Sequence, residues 1–444
     1  MIFNQEIETL SISEKEMLQL ERLQTTVERV YNNVPFYREK FEENKVEPED
    51  IKSMEDIQKL PFTVKKNLRD NYPFGLFATS VSETKRLHAS SGTSGKPTVV
   101  GFTEKDLGVW QEVVARAIAA SGGGPGEVLH NAYGYGLFTG GLGIHYGSEK
   151  LGMVTVPVSG GNTERQITLI EDFRPTVITA TPSYVLNIIE KMERMGKNPR
   201  ETSLKYGIFG AETWSEEMRT ALESRLGIKA MDIYGLSEVM GPGIAIECKE
   251  EQNGLHIADD HFFVEVIDPE TLEPVPEGEE GELVFTSLTK EALPIIRYRT
   301  GDIASITKEA CGCGRTSIRM SRVKGRIDDM LIIRGVNVFP TEIESALVGM
   351  DGLVPHYQLI IKNNGTMDKV VLKVEVNEPF YQSINGNMKH EKITYLANEI
   401  SKKLKNTCLV TIDAEFETPG KIPRSEGKAI RVIKETQSSS VASL

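Results

Sequence analysis

Residues 88–98 of this 444-residue chain read His-Ala-Ser-Ser-Gly-Thr-Ser-Gly-Lys-Pro-Thr. Small hydroxyl residues and glycines let a backbone turn tightly and offer N–H and O–H groups to a polyanion. Gly92 and Gly95 leave room for close approach, and Lys96 adds a positive charge. The stretch differs from the G-x-x-x-x-G-K-[ST] phosphate loop of common NTPases. Ser90 stands in place of its first glycine, and Pro97 in place of its Mg²⁺-binding hydroxyl. The expected ligand is therefore a nucleotide phosphate, held by another class of enzyme.

A second constellation is Cys248, His256, Cys311 and Cys313. Cys311-Gly-Cys313 sets two thiols on one turn, and three sulfurs with one imidazole make a closed, structural zinc site. The alternative is that the thiols are small buried hydrophobes, and His261 is the alternative nitrogen ligand. Cys408 is expected in a core strand. The remaining histidines (88, 130, 145, 356 and 390) receive no role.

Four more segments carry chemistry-bearing side chains. Asp232-Ile-Tyr-Gly-Leu-Ser-Glu238 sets a tyrosine and a carboxylate beside a glycine. Leu293-Pro-Ile-Ile-Arg-Tyr-Arg-Thr-Gly-Asp302 ends on an aspartate. That carboxylate could accept a ribose diol, or form a salt bridge to Arg297 or Arg299. Gly325-Arg-Ile-Asp-Asp-Met-Leu-Ile-Ile-Arg-Gly335 marks a boundary, and Pro423-Arg-Ser-Glu-Gly-Lys428 ends on an exposed-looking lysine.

The elements that position these groups can be read from periodicity. A helix is expected over 13–45, with Ser13 and Glu16 as a capping box and Met17, Leu20, Leu23, Val27 and Val30 on one face. Strands are expected at 154–158 and 176–180, each followed by a helix, which implies a largely parallel α/β sheet. Residues 262–267 and 282–286 alternate, as a small antiparallel β unit does. Beyond 325–328 the pattern restarts: a strand at 330–333, a helix capped by Thr341 and Glu344, strands near 357–362, 369–376 and 408–413, and a helix near 388–405. The fold class is α/β: a large N-terminal α/β domain with a small antiparallel β unit, then a small C-terminal α+β domain. The tail 437–444 is expected to be disordered.

A net charge of −13 argues against nucleic acid as a partner. No apolar run is long enough to span a membrane and no signal peptide is visible, so the expectation is a cytoplasmic protein.

Taken in order, these segments resemble the adenylate-forming superfamily of acyl-CoA synthetases, peptide-synthetase adenylation domains and luciferases. Val34-Pro-Phe-Tyr37, Asn131-Ala-Tyr-Gly-Tyr-Gly-Leu-Phe-Thr-Gly-Gly-Leu-Gly143 and Arg334-Gly-Val-Asn-Val-Phe-Pro340 resemble its phenylacetate–CoA ligase family. The resemblance implies an AMP-forming ligase of aromatic acid catabolism. A carboxylate attacks ATP to give an acyl-adenylate and pyrophosphate, and CoA then displaces AMP. It implies that Ser90, Ser91, Gly92, Thr93, Ser94, Gly95 and Lys96 hold the β- and γ-phosphates. Gly210, Ala211 and Glu212 would lie on the adenine side and Tyr234 by the adenine or α-phosphate. Glu238 would help bind Mg²⁺, Asp302 would hold the ribose, and Arg326 would add a ribose or phosphate contact. Lys428 would serve adenylation, Asp328 the hinge, and Gly335 the passage of the CoA arm. Tyr133, Tyr135, Gly136, Phe138 and Gly141 would line an aryl-acid pocket. The implied domains are 1–326, binding ATP and acid, and 327–444, a mobile lid; a homodimer is expected from likeness. A coenzyme-F390-type adenylyltransferase that ignores CoA and a non-catalytic acyl or nucleotide sensor are the competing readings.

Overall fold

The computed structural model describes residues 1–90, 97–333, 336–363 and 368–435. Two compact units emerge: Met1–Ala180, Glu201–Ala211 and Ile228–Val323 form one, and Thr181–Arg200, Glu212–Gly227 and Lys324–Leu444 the other.

After a short helix at Gln5–Glu8, the first unit has two helices, Ile12–Asn33 and Pro35–Asn44, where a single one was expected. Proline disfavours helical backbone in the residue before it, and Val34 is extended (φ −119°, ψ 102°). The capping box also lies earlier than expected. Ser11 Oγ accepts from Glu14 N, and Glu14 accepts from Ser11 N. Leu23, Val27, Val30, Val34, Tyr37 and Phe41 form a wholly buried stripe, each side chain contributing about 1.5–3 kcal/mol. Met17 lies off this stripe and is 66% exposed.

The main sheet has nine strands. In spatial order they are Ile306–Thr307, Arg319–Met320, Leu255–Ile257, Gly241–Glu247, Lys229–Leu236, Tyr206–Gly210, Val177–Ala180, Val128–Asn131 and Val154–Val156. The last five pair in parallel, and pairing from Lys229–Leu236 back to Ile306–Thr307 is antiparallel. Val177–Ala180 is buried at every position, as a strand covered on both faces should be. In a second sheet Gly281–Ser287 pairs antiparallel with both Phe262–Ile267 and Tyr298–Ala304, matching the expected β unit. A separate ladder pairs Arg86–Ser90 with Thr98–Phe102, on either side of the Ser/Gly-rich stretch of the sequence.

The second unit holds a four-stranded sheet in the order Asp413–Glu417, Asp368–Val376, Leu353–Asn363, Val432–Glu435. Helix Glu391–Cys408 buries Leu396, Ile400, Leu404 and Cys408 at i, i+4 spacing. Cys408 therefore ends a helix rather than lying in a strand. Helix Pro340–Leu347 starts one residue before Thr341, and Glu342 caps it by accepting from Phe339 N. Thr341 and Glu344 do not form the expected box. Thr341 donates to the Lys324 carbonyl, and Glu344 accepts from Ser215 N and Arg431. Helices Pro182–Arg194 and Glu216–Leu226 belong to this unit too. The tail 437–444 lies outside the described residues. No described helix is long and apolar enough to cross a membrane.

Candidate active site

In the first unit the ladder flanking the Ser/Gly-rich loop ends at Ser90, opposite Thr98. Ser91, Gly92, Thr93, Ser94, Gly95 and Lys96 lie outside the described residues, as does Gly335. Behind the ladder, Phe102 stacks on Trp110 with ring centroids 4.8 Å apart, and buried His88 sets its edge against both rings.

Tyr234 and Asp302 come from neighbouring sheets and meet: the phenol donates to Asp302 Oδ2 at 2.7 Å. The Tyr234 ring stacks on Phe285 (5.9 Å, 28°), which fixes its plane. Asp302 does not bridge to Arg297 or Arg299, because these are committed to Glu265 and Glu282. Glu238 is buried in the turn between strands Lys229–Leu236 and Gly241–Glu247. Gly210 ends its strand where a Cβ would fall 2.1 Å from the Ile233 carbonyl oxygen. Ala211 then takes left-handed backbone (φ 68°), turning the chain sharply before Glu212.

Sequence reasoning missed Lys290. It is 1% exposed, donates to the Val239 carbonyl at 3.1 Å and lies 4.2 Å over the Phe102 ring. Burial pulls its ammonium down to about 8, while the charges of Asp106 and Glu238 oppose that fall. Nothing in the Ser-Leu-Thr-Lys-Glu stretch marks a buried cation, since lysines are almost always exposed.

Around the expected acid pocket, Tyr133 is buried and the Tyr135 hydroxyl meets Asn131 Nδ2 at 2.8 Å and His145 Nδ1 at 3.2 Å. Phe138 caps helix Thr139–Leu151, and Gly136 has φ 124° with open space where a Cβ would stand. The space beside Gly141 is filled by backbone instead: a Cβ there would fall 2.5 Å from the Gly134 oxygen.

The second unit carries Lys428, Arg326, Asp328 and Glu212. Lys428 is exposed on a loop whose preceding turn is fixed by Arg424. That guanidinium binds Glu375 through Nη1 (2.9 Å) and Nη2 (2.6 Å), and Glu190 through Nε (3.0 Å). Glu190 also meets buried His356 at 2.8 Å. Arg326 Nη2 lies 4.0 Å from the exposed Asp328 carboxylate. The Glu212 carboxylate accepts from the backbone N–H of Ser183 and of Ala429, each at 2.8 Å.

The four expected zinc ligands converge. One ligand atom each from Cys248, His256, Cys311 and Cys313 lies within 4.8 Å of the others. Cys248 Sγ is 3.7 Å from Cys311 Sγ, and Cys313 Sγ is 3.3 Å from His256 Nε2. Ser317 meets His256 Nδ1 at 3.0 Å, which leaves Nε2 aimed at the thiols. His261 is not part of the cluster; it engages Thr289 and Asp260. The Cys313 thiol is held far below its ordinary range, first by the Cys248 thiol and then by His256. Three thiols and one imidazole converging in this way are a donor set that fits a zinc-like cation.

Residues 82–289 match the family model described as AMP-binding enzyme, and residues 335–436 match that described as AMP-binding enzyme C-terminal domain. The chain is 52% identical over 438 residues to the phenylacetate-coenzyme A ligase of Thermus thermophilus, spanning 97% of this chain and 98% of that protein. It is 50% identical over 427 residues to the Escherichia coli protein of the same name, spanning 96% of each. Among solved structures, 2-hydroxyisobutyryl-CoA ligase in the postadenylation state with R3-HIB-AMP matches with TM-score 0.90 and 29% identity, over 96% of this chain and 91% of that one. Fold and site thus define an adenylate-forming enzyme. Within that class, the chain belongs to the phenylacetate–CoA ligase family.

Proposed function

We propose that this protein is a phenylacetate–CoA ligase, converting ATP, phenylacetate or a close aryl acid, and CoA into the acyl-CoA, AMP and pyrophosphate. The observation that carries the reading is roughly half identity, end to end, to relatives that bear this name. The 2-hydroxyisobutyryl-CoA ligase, with structures titled postadenylation and thioesterification states, supports a two-step course.

In the first step a carboxylate oxygen attacks the α-phosphorus, and the bond to the pyrophosphate bridging oxygen breaks with its electron pair. Charge builds around that centre, and fixed cations and donors stabilise it. Lys428 is the cation assigned to this step. The loop from Ser90 to Lys96 is assigned to the β- and γ-phosphates. Gly210, Ala211 and the backbone of Glu212 would form the adenine side, Tyr234 and Asp302 the base and ribose side, and Arg326 a further contact. Glu238 would hold Mg²⁺, which supplies charge neutralisation. In the second step the CoA sulfur attacks the acyl carbon and AMP leaves. Here residues 327–444 would act as a lid turning at Asp328, with Gly335 giving the pantetheine arm passage. Tyr133, Tyr135, Gly136, Phe138 and Gly141 would surround the acid. Cys248, His256, Cys311 and Cys313 would hold a structural zinc ion. A cytoplasmic homodimer completes the reading.

The test is pyrophosphate release with phenylacetate, indoleacetate, benzoate and short fatty acids, with and without CoA. The ligase should release pyrophosphate with an aryl acid and release AMP only when CoA is added. An adenylylated product that persists with CoA present would favour the adenylyltransferase. Lys428→Ala should abolish release with phenylacetate; unchanged release would remove Lys428 from its assigned role.

A further inference from the structure

Both peptide groups flanking Lys428 are held by residues far away in sequence. The Gly427 carbonyl accepts from Thr181 Oγ1 at 2.7 Å, Ser183 Oγ at 3.1 Å and Ser425 Oγ at 2.6 Å. The amide of Ala429 donates to Glu212 Oε2, while Glu212 Oε1 accepts from Ser183 N. Ser183 therefore serves both anchors, its hydroxyl on Gly427 and its amide on Glu212. Asn187 Nδ2 adds a 3.4 Å contact to the Ser425 carbonyl.

We propose that Glu212, Thr181 and Ser183 are positioning residues that hold the loop carrying Lys428 for adenylation. The carboxylate of Glu212 is spent on the backbone, so its side chain acts through that loop rather than on the nucleotide. A buried carboxylate is costly unless donors satisfy it. Burial pushes Glu212 upward, against the nearby Arg431 charge and the N–H donors from both segments. One of those donors belongs to the residue after Lys428, so the carboxylate is fully satisfied only when the loop is seated. Thr181 is well placed for its part: it caps helix Pro182–Arg194, and the same hydroxyl accepts from Tyr184 N. A carbonyl reached by three hydroxyls is fixed in direction as well as in place.

The proposal rests on the assignment of Lys428 to the adenylation step. If the C-terminal lid turns between steps, these bonds serve the first step alone. The test separates the half-reactions in Glu212→Gln and in the double variant Thr181→Val/Ser183→Ala. Adenylation is read as phenylacetate-dependent exchange of pyrophosphate into ATP. Thioesterification is read as CoA-dependent consumption of supplied phenylacetyl-adenylate. Each variant should lose tenfold or more in exchange while keeping thioesterification within about twofold, the same split expected of Lys428→Ala. The hydroxyl variant keeps the buried carboxylate and carries the test should Glu212→Gln not fold. An equal fall in both half-reactions, or a raised KM for ATP with unchanged kcat, would overturn the proposal, as would unchanged exchange. Unchanged exchange in Lys428→Ala would instead fault the assignment of the lysine itself, whatever the Glu212 variant does.

Discussion

At the scale of single residues, the contact between Tyr234 and Asp302 ties a phenol to a carboxylate that is 5% exposed. A hydrogen bond to a charged group contributes about 1.5–3 kcal/mol. Asp302→Ala should raise the KM for ATP more than tenfold, and Tyr234→Phe less, and each should lower the melting temperature as the buried hydrogen bond is lost. Nucleotide titration against thermal unfolding checks both; an unmoved KM in Asp302→Ala would remove it from the ribose site. A second residue controls stability against pH. Gln166 gives its amide nitrogen to the carbonyls of Ser159 and Gly161, so its oxygen accepts from His130 Nε2–H. His130 Nδ1 is left buried with no partner among the described residues, and burial pulls the imidazole from 6.5 down to about 4. The unfolded chain therefore binds the proton first. This contribution is whole above about pH 6.5 and is lost as pH falls toward 4, amounting to on the order of 2–3 kcal/mol. Denaturant unfolding at pH 7 and pH 4.5 should show a steeper loss in wild type than in His130→Gln; parallel slopes would refute it. Asp302, Glu238 and the cysteine set were legible as candidates, the first two through the family resemblance and the cysteines through residue type and spacing. Lys290 and the bonds of Glu212 were not, because burial and a partner 217 positions away leave no local signal.

Helix Thr139–Leu151 shows what one element adds. Its Gly141 is implied by the resemblance to line the acid pocket, yet the glycines of this helix let backbone and rings approach. A Cβ on Gly143 would fall 2.5 Å from Trp110, and one on Gly147 would fall 2.2 Å from Val114, both on helix Glu104–Ala120. Gly147→Val should therefore destabilise by about 1–3 kcal/mol through overpacking. A melting curve checks this, and an unshifted midpoint would mean that the two helices separate freely. Element types were largely legible, since apolar periodicity sets them, but several ends were not. Val34-Pro35 split one expected helix, and Glu342 rather than Glu344 caps another, because caps depend on backbone angles that composition does not carry.

Across the molecule, the cysteine cluster lies next to a seam that closes the first unit. Arg315, two residues beyond Cys313, binds Glu8 and the Met1 carbonyl, each at 2.6 Å; Thr316 N reaches Glu8 O, and Lys15 pairs with Asp259 at 3.1 Å. A metal at the cluster would pin the 311–318 segment and, through it, the N-terminal ten residues. Chelation at pH 7 should lower the melting temperature and open that segment to proteolysis, as should Cys311→Ser. Equal cleavage with and without chelator, in protein shown to contain zinc, would separate the two features. Residue type and spacing singled out the four side chains that converge here, but nothing local marks the seam, whose partners lie some 300 positions apart. The two tryptophans of the chain, Trp110 and Trp214, fall one to each compact unit. Trp110 stacks on Phe102, in the strand pair Arg86–Ser90 and Thr98–Phe102, and Trp214 lies under the Arg219 guanidinium. The chain therefore carries two natural optical probes. With Trp214→Phe, ultraviolet emission would report on events at that strand pair; with Trp110→Phe, it would report on the unit bearing Lys428. The two halves of a catalytic cycle could then be timed in a stopped-flow cell without attaching a dye.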